Sequence, residues 1–361
     1  MAITKIGWVD LMVTERCNLN CIYCFHKQMP KDMSFETLDN MMEFLAPIFE
    51  KQGVFNFFGG EPLLRPDFVL EACKKLKAKF PNWKFHISTN CSVEPLRIKE
   101  FIDNYADSIQ LSYDGLDQPT TRGIPELAEE NIRKYVEYVG NDRLNVRLTY
   151  TKETVGNLYN NLVHIYKLGL RRVMHSPDFC PGWSQEHYDE YEKQLDKIYD
   201  FVKEHPDYKV KFADCLNAIE DKPSSKCGMG AQLITVSADG GIYPCHRSVS
   251  LPEFRIGDVN KRELNRGLFL KLECHKCSKC EVHSICHHCM VADYIYLGSL
   301  TIPQECDCAI NKIELGKAAK AYTDLYGSCE GWEHRLSKMV NVFEDIRKDS
   351  QLLKEMIKRS I

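Results

Sequence analysis

Thr14-Glu15-Arg16-Cys17-Asn18-Leu19-Asn20-Cys21-Ile22-Tyr23-Cys24-Phe25 places three cysteines in one C-x3-C-x2-C loop directly after the apolar run Trp8–Val13. Three thiolates at this spacing can close on one metal centre. An iron–sulfur cubane usually takes four cysteines, so a tight set of three leaves one iron able to bind something other than protein. A structural zinc with a distant fourth ligand, or unconnected core cysteines, are the alternatives that spacing leaves open.

Outward from this loop, short apolar runs alternate with longer amphipathic segments, the pattern of parallel strands joined by helices. Trp8–Val13, Val54–Phe58, Phe85–Thr89, Ser108–Ser112, Val146–Tyr150 and Arg172–His175 read as six strands. Ser34–Lys51, Asp67–Phe80, Glu94–Tyr105, Glu126–Val139 and Asn157–Leu168 read as helices, several behind a Ser, Asp or Asn cap. The expectation is an α/β fold, a partial (β/α)6 TIM-like barrel. Ligands then gather at the carboxyl ends of the strands, where loops converge and helix amino termini point. Residues 1–180 are expected to form the barrel, and 181–226 a helical linker holding the charged stretch Gln185–His205. A cysteine-rich domain is expected at 227–312 and a C-terminal helical tail at 313–361.

With 361 residues, 15 prolines, 20 glycines and a net charge of −4, the chain fits one large or two modest globular domains, not a fibre or a disordered chain. It has no apolar run of 18 residues, and MAITKIGWVD lacks the basic flank and apolar segment of an export signal. No membrane association is expected, and a cytoplasmic location is. In a reducing compartment, 17 cysteines point to metal ligation or redox chemistry rather than disulfides. The near-balanced charge supplies no basic field for a polyanion, so no nucleic-acid partner is expected.

With Tyr23 just before its last cysteine, the opening loop resembles the signature of the radical S-adenosylmethionine (SAM) superfamily. The resemblance implies a [4Fe–4S] cluster on Cys17, Cys21 and Cys24, with SAM chelated to the free iron by its amino and carboxylate groups. An electron from the cluster would cleave SAM to methionine and a 5′-deoxyadenosyl radical that abstracts a substrate hydrogen. Phe58-Gly59-Gly60-Glu61-Pro62 is similar to the family's GGEP segment, which holds the SAM amino group; read without the family, it is a tight turn in which glycine lets backbone approach closely. Ser88-Thr89-Asn90 and Ser112-Tyr113-Asp114-Gly115 resemble segments that contact SAM ribose or carboxylate. Tyr23, Gly59, Gly60, Glu61, Ser88, Asn90, Ser112 and Asp114, joined by Arg122 and by His175 at the end of the sixth strand, are therefore the expected SAM-binding residues.

Farther along, Gln232–Val236 and Gly241–Tyr243 read as a hairpin flanked by Cys227 and Cys245. Beyond it come Cys274, Cys277, Cys280, Cys286 and Cys289, then Cys306 and Cys308, more thiols than one tetrahedral zinc needs. This region resembles the SPASM extension of radical SAM enzymes that modify peptides and proteins, which implies two auxiliary [4Fe–4S] clusters and three in all. By position, Cys227, Cys245 and Cys289 would serve the first auxiliary cluster, and Cys277, Cys280, Cys286 and Cys308 the second. The pattern departs where only His287 and His288 separate Cys286 from Cys289, and where no cysteine closely follows Cys227. The first auxiliary cluster is then open, fit for a substrate thiolate, or closed by Cys215 or Cys274. Cys306 competes with Cys308, and the helix expected after Cys308 favours the latter. Cys73, Cys91, Cys180 and Cys329 complete the set, with Cys91 and Cys180 each following a strand end.

Sulfatase-maturating members of the family carry an acidic residue after the cysteine corresponding to Cys245, where this chain has His246. Tyr243-Pro244-Cys245-His246-Arg247 looks more like maturases that join a cysteine sulfur to carbon in ribosomally made peptides. His246 is the candidate catalytic base, with a partly exposed loop histidine as the alternative. Only 16 residues precede Cys17, so no leader-recognition domain is expected ahead of the core. The expected partners are a peptide or protein substrate, an electron donor such as flavodoxin or ferredoxin, and, if a leader needs recognition outside this core, a separate protein. A thioether or carbon–carbon crosslink is the leading product. Formylglycine formation, epimerisation and a non-catalytic zinc scaffold are the alternatives.

Overall fold

The computed structural model describes residues 4–210, 227–272, 277, 280 and 288–326. Cys215, Cys274, Cys286 and Cys329, with His283, His287 and the tail past residue 326, lie outside the described residues. The chain divides into two compact units, Met1–Asp178 with Gly228–Leu272, and Phe179–Cys227 with Glu273–Ile361.

In chain order, the first unit runs β1 (Ile6–Thr14), α1 (Phe35–Leu45), β2 (Phe49–Gly59), α2 (Pro66–Lys79), β3 (Lys84–Thr89) and α3 (Lys99–Asn104). It continues through β4 (Ala106–Ser112), α4 (Gln118–Thr121), α5 (Pro125–Val139), β5 (Leu144–Tyr150), α6 (Leu158–Lys167) and β6 (Arg172–Pro177). The second unit contributes α7 (Gln185–Glu204) and β7 (Lys209–Val210). The chain then returns to the first with β8 (Leu233–Val236), β9 (Gly241–Tyr243), β10 (Gly257–Asp258) and β11 (Glu263–Leu264), and ends in the second with α8 (Met290–Leu297) and α9 (Glu305–Tyr326).

The six expected strands and their crossover helices form a partial (β/α)6 barrel, with β1 to β6 adjacent and parallel. One expectation needs correction: the helix begun at the Ser34 cap ends at Leu45, not Lys51. Pro47 has no N–H to continue it, so the chain passes through a single 3-10 turn, Ala46–Ile48, and β2 starts at Phe49. The β8–β9 hairpin forms as expected, and β8 also pairs in parallel with β1 from Trp8↔Leu233 to Leu11↔Val236. That pairing brings Cys245 and His246, just past β9, beside the first strand.

Residues paired in parallel register share a face of the sheet. Val9, Phe55 and Phe85 line up on one face, and so do Ile109 with Leu144 and Leu111 with Val146. All of these are buried and apolar. The opposite face carries Asp10, Asn56, His86 and Ser108 in one row and Ser88, Gln110 and Asn145 in the next. Both faces of an ordinary parallel sheet are apolar, so the polar rows mark the side that serves a site. In the second unit, α7 packs on α9, and the buried Tyr191 hydroxyl donates to Glu314 at 2.5 Å.

Candidate active site

The cysteine loop leaves β1 and is fastened to the end of β2. The Gly60 and Glu61 N–H groups donate to the Thr14 and Arg16 carbonyls, each at 2.8 Å. A methyl group on Gly59 would collide with the Thr14 carbonyl oxygen and one on Gly60 with that of Arg16, and Gly59 has φ +144°. The paired glycines thus clear a path for the loop's own backbone. Past the cysteines, Asp32 accepts from Thr14 Oγ1 at 2.6 Å and pairs with Arg16 at 2.5 Å, closing the loop on itself. The Ile22 N–H donates to the Thr121 carbonyl at 3.0 Å, which ties the middle of the loop to α4.

Within this frame, Cys17, Cys21 and Cys24 are free thiols, and Cys17 feels both of the others electrostatically. Burial pushes the Cys17 thiol up to about 11, and burial raises Cys21 as well. A cation that binds thiolates would overcome that preference. Three unpaired sulfurs on one braced loop, with Cys24 exposed, fit a [4Fe–4S] cluster held by three ligands and open on one side.

Around the loop, carboxylates tie the strand ends together. Glu61 is buried and accepts from the Asn90 N–H at 2.7 Å, Thr89 Oγ1 at 2.9 Å and the Leu63 N–H at 3.0 Å. Burial still pushes its carboxyl up to about 7 against those donors. Asp114, also buried, pairs with Arg122 Nε at 3.0 Å and accepts from Thr121 Oγ1 at 2.7 Å, the Thr149 N–H at 2.9 Å and the Tyr23 hydroxyl. The Arg122 guanidinium lies 5.2 Å over the Tyr23 ring and acts electrostatically on Cys21. Tyr23, Asp114 and Arg122 therefore converge beside the cysteines. Ser88 accepts from Gln110 Nε2 at 3.2 Å, and Ser112 pairs in register with Arg147 on the polar face. His175 is elsewhere: in register with Leu148 and buried beside Tyr150, it lies on the apolar face with Val173, not on the polar one. Strand alternation from Arg172 fixes this, because Met174 and Ser176 take the other side.

A second polar centre was not legible as a motif. Asp10, 1% exposed, accepts from Trp8 Nε1 at 2.8 Å and Asn56 Nδ2 at 2.7 Å through one oxygen. Its other oxygen meets His246 Nδ1 at 2.8 Å and Thr235 Oγ1 at 3.4 Å. Burial opposes the Asp10 charge, but His246 and these hydrogen bonds outweigh it and hold the carboxyl below its usual range. The His246 ring lies 4.6 Å from that of Phe58 and 5.6 Å from that of Phe25, immediately after Cys24. An aspartate inside the apolar run Trp8–Val13 was the available signal, since a buried charge needs partners.

Cys245 belongs to the first unit, and Cys227, Cys277, Cys280, Cys289, Cys306 and Cys308 to the second. The Cys280 N–H donates to the Cys277 carbonyl at 2.9 Å, and the Cys289 N–H to Asp307 at 2.9 Å. Cys306 is buried, its thiol directed to the Gln304 side chain at 3.8 Å and the Cys180 carbonyl at 4.0 Å, whereas Cys308 is partly exposed. His288, Asp293 and Asp307 cluster nearby, with His288 Nδ1 2.6 Å from Asp293. Among the described residues no helix is long and apolar enough to cross a membrane.

Residues 11–162 match the family model described as the Radical SAM superfamily. An uncharacterized protein of Methanocaldococcus jannaschii is 26% identical over 70% of this chain and 90% of its own. A probable GTP 3′,8-cyclase of Methanococcus aeolicus is 27% identical over 67% and 85%. Among solved structures, histidine-tagged anSMEcpe with bound AdoMet shares the fold at TM-score 0.73 and 19% identity, covering 92% of this chain and 98% of that one. Streptococcus suis SuiB bound to precursor peptide SuiA does so at TM-score 0.61 and 14% identity, covering 84% and 76%.

Proposed function

The chain is a radical SAM superfamily enzyme, and from that premise we propose that it modifies a peptide or protein side chain, forming a thioether or carbon–carbon crosslink. The observation that carries the reading is the braced Cys17, Cys21 and Cys24 loop beside the Asp114–Arg122 pair, in a fold shared with SuiB and anSMEcpe. When bound there, a [4Fe–4S] cluster supplies the electron that cleaves SAM. Flavodoxin or ferredoxin is the proposed source of that electron.

The residues divide the remaining work. Arg122 supplies positive charge next to the cysteines, and Asp114 and Tyr23 fix its position. Glu61 holds the β2 and β3 ends together through the Thr89 hydroxyl and the Asn90 N–H. His246, held by the Asp10 carboxylate through Nδ1 at 2.8 Å, is the proposed base for a substrate proton. A crosslink removes two hydrogens from the peptide: one as an atom that converts the deoxyadenosyl radical to deoxyadenosine, and one as a proton, with an electron that an auxiliary cluster on the proposed cysteines would accept. Cys227, Cys245 and Cys289 are proposed for one auxiliary cluster, and Cys277, Cys280, Cys286 and Cys308 for another. The commitment of the Cys306 thiol to Gln304 and Cys180 supports Cys308 as the ligand.

The cyclase names among the relatives favour a second reading, radical cyclisation of a nucleotide. Anaerobic incubation of the reduced enzyme and SAM with cysteine-containing peptides or with GTP separates the two by mass spectrometry. The proposal expects a peptide lighter by two hydrogens and unchanged GTP. Consumption of GTP with intact peptides would overturn it, and a peptide aldehyde without its sulfur would point to formylglycine formation.

A further inference from the structure

Asn90, 7% exposed at the end of β3, has its N–H and both ends of its side-chain amide committed to the chain. Its N–H donates to Glu61 Oε2 at 2.7 Å, and its side-chain oxygen accepts from the Ser92 N–H at 3.0 Å. Its amide nitrogen reaches Asn18 Oδ1 at 2.9 Å and Cys17 Sγ at 3.8 Å. An amide nitrogen carries two N–H groups, enough for both acceptors. The Leu19 N–H, at 3.4 Å from the same sulfur, is a second donor to it.

We propose that Asn90 is a positioning residue for the cluster, donating an N–H to the Cys17 sulfur and thereby raising the cluster's reduction potential. This rests on the reading of Cys17 as a cluster ligand. A donor on a ligating sulfur draws electron density from iron and favours the reduced, more negative form. Burial strengthens the interaction by keeping competing water away. The chain fixes the donor from both sides: Glu61 sets the Asn90 backbone, and Asn18, next to Cys17, orients its amide.

The test is an electron paramagnetic resonance (EPR) redox titration of the anaerobically reconstituted enzyme, following the signal lost in Cys17→Ala. Asn90→Ala and Asn90→Asp both remove the donor, the latter at nearly constant size. The proposal expects a midpoint more negative than wild type in each variant at unchanged iron content. A midpoint equal to wild type in both would overturn it. Should neither variant hold its iron, wild-type enzyme labelled with nitrogen-15 asparagine decides: pulsed EPR should find a nitrogen coupling to that signal, and its absence would refute the role. If Cys17→Ala loses no signal at all, the ligand reading itself fails, a result distinct from an unshifted midpoint.

Discussion

Gly60 sits where a methyl group would meet the Arg16 carbonyl oxygen, in the contact that fastens the cysteine loop to β2. Gly60→Ala should therefore cost about 2 kcal/mol or more in urea denaturation and lower the iron retained, because neither backbone can yield freely. Retention of wild-type stability and iron would show that the loop has slack. His86, on the polar face, makes a second residue-scale prediction. Burial pushes its imidazole down to about 4, against the pull of Asp10. Below the unfolded value near 6.5 the unfolded chain binds a proton that the folded chain refuses, so stability present above that pH is lost as pH falls towards 4. Between pH 7 and pH 5 this is worth about 2 kcal/mol. Comparison of urea midpoints for wild type and His86→Asn should show the slope in the first and a flatter one in the second.

At the scale of elements, the Asp114–Arg122 pair joins the end of β4 to α4, and Thr149 adds the end of β5. Arg122→Met leaves a buried carboxylate without its cation, a loss of about 3 kcal/mol. Adding Asp114→Asn should recover part of it; a single variant with wild-type stability would place the charge balance elsewhere. The strands were legible in sequence because their apolar runs are short and evenly bounded, and the β8–β9 hairpin because Asp239-Gly240-Gly241 breaks two such runs. The pairing of β8 with β1 was not legible, since register between distant segments leaves no local trace. The face His175 takes was not legible for a related reason: position at a strand end does not say which face a side chain takes, and one residue reverses it. The end of α1 was readable from Pro47, but Phe49 and Glu50 continue the apolar and polar pattern past it.

Across the whole molecule, the first unit unites the barrel with 228–272, so a proposed auxiliary ligand, Cys245, belongs to the same compact body as Cys17. The three-cysteine motif and the strand-end segments were visible in sequence because each is a short local run of fixed spacing. The Asp10 network was not, because its members come from β1, β2 and β8 and from the turn at His246, and meet only in the folded sheet. Reconstituted enzyme should hold about twelve irons, falling to about eight in the Cys17, Cys21 and Cys24 triple alanine variant. A wild-type value near eight would remove one auxiliary cluster from the account. The most direct test of the central claim is anaerobic SAM cleavage, read as 5′-deoxyadenosine and methionine formed by reduced enzyme. Wild type should yield both products and Cys17→Ala neither; wild type replete in iron and inert towards SAM, or an active Cys17→Ala, would contradict radical SAM chemistry on this loop.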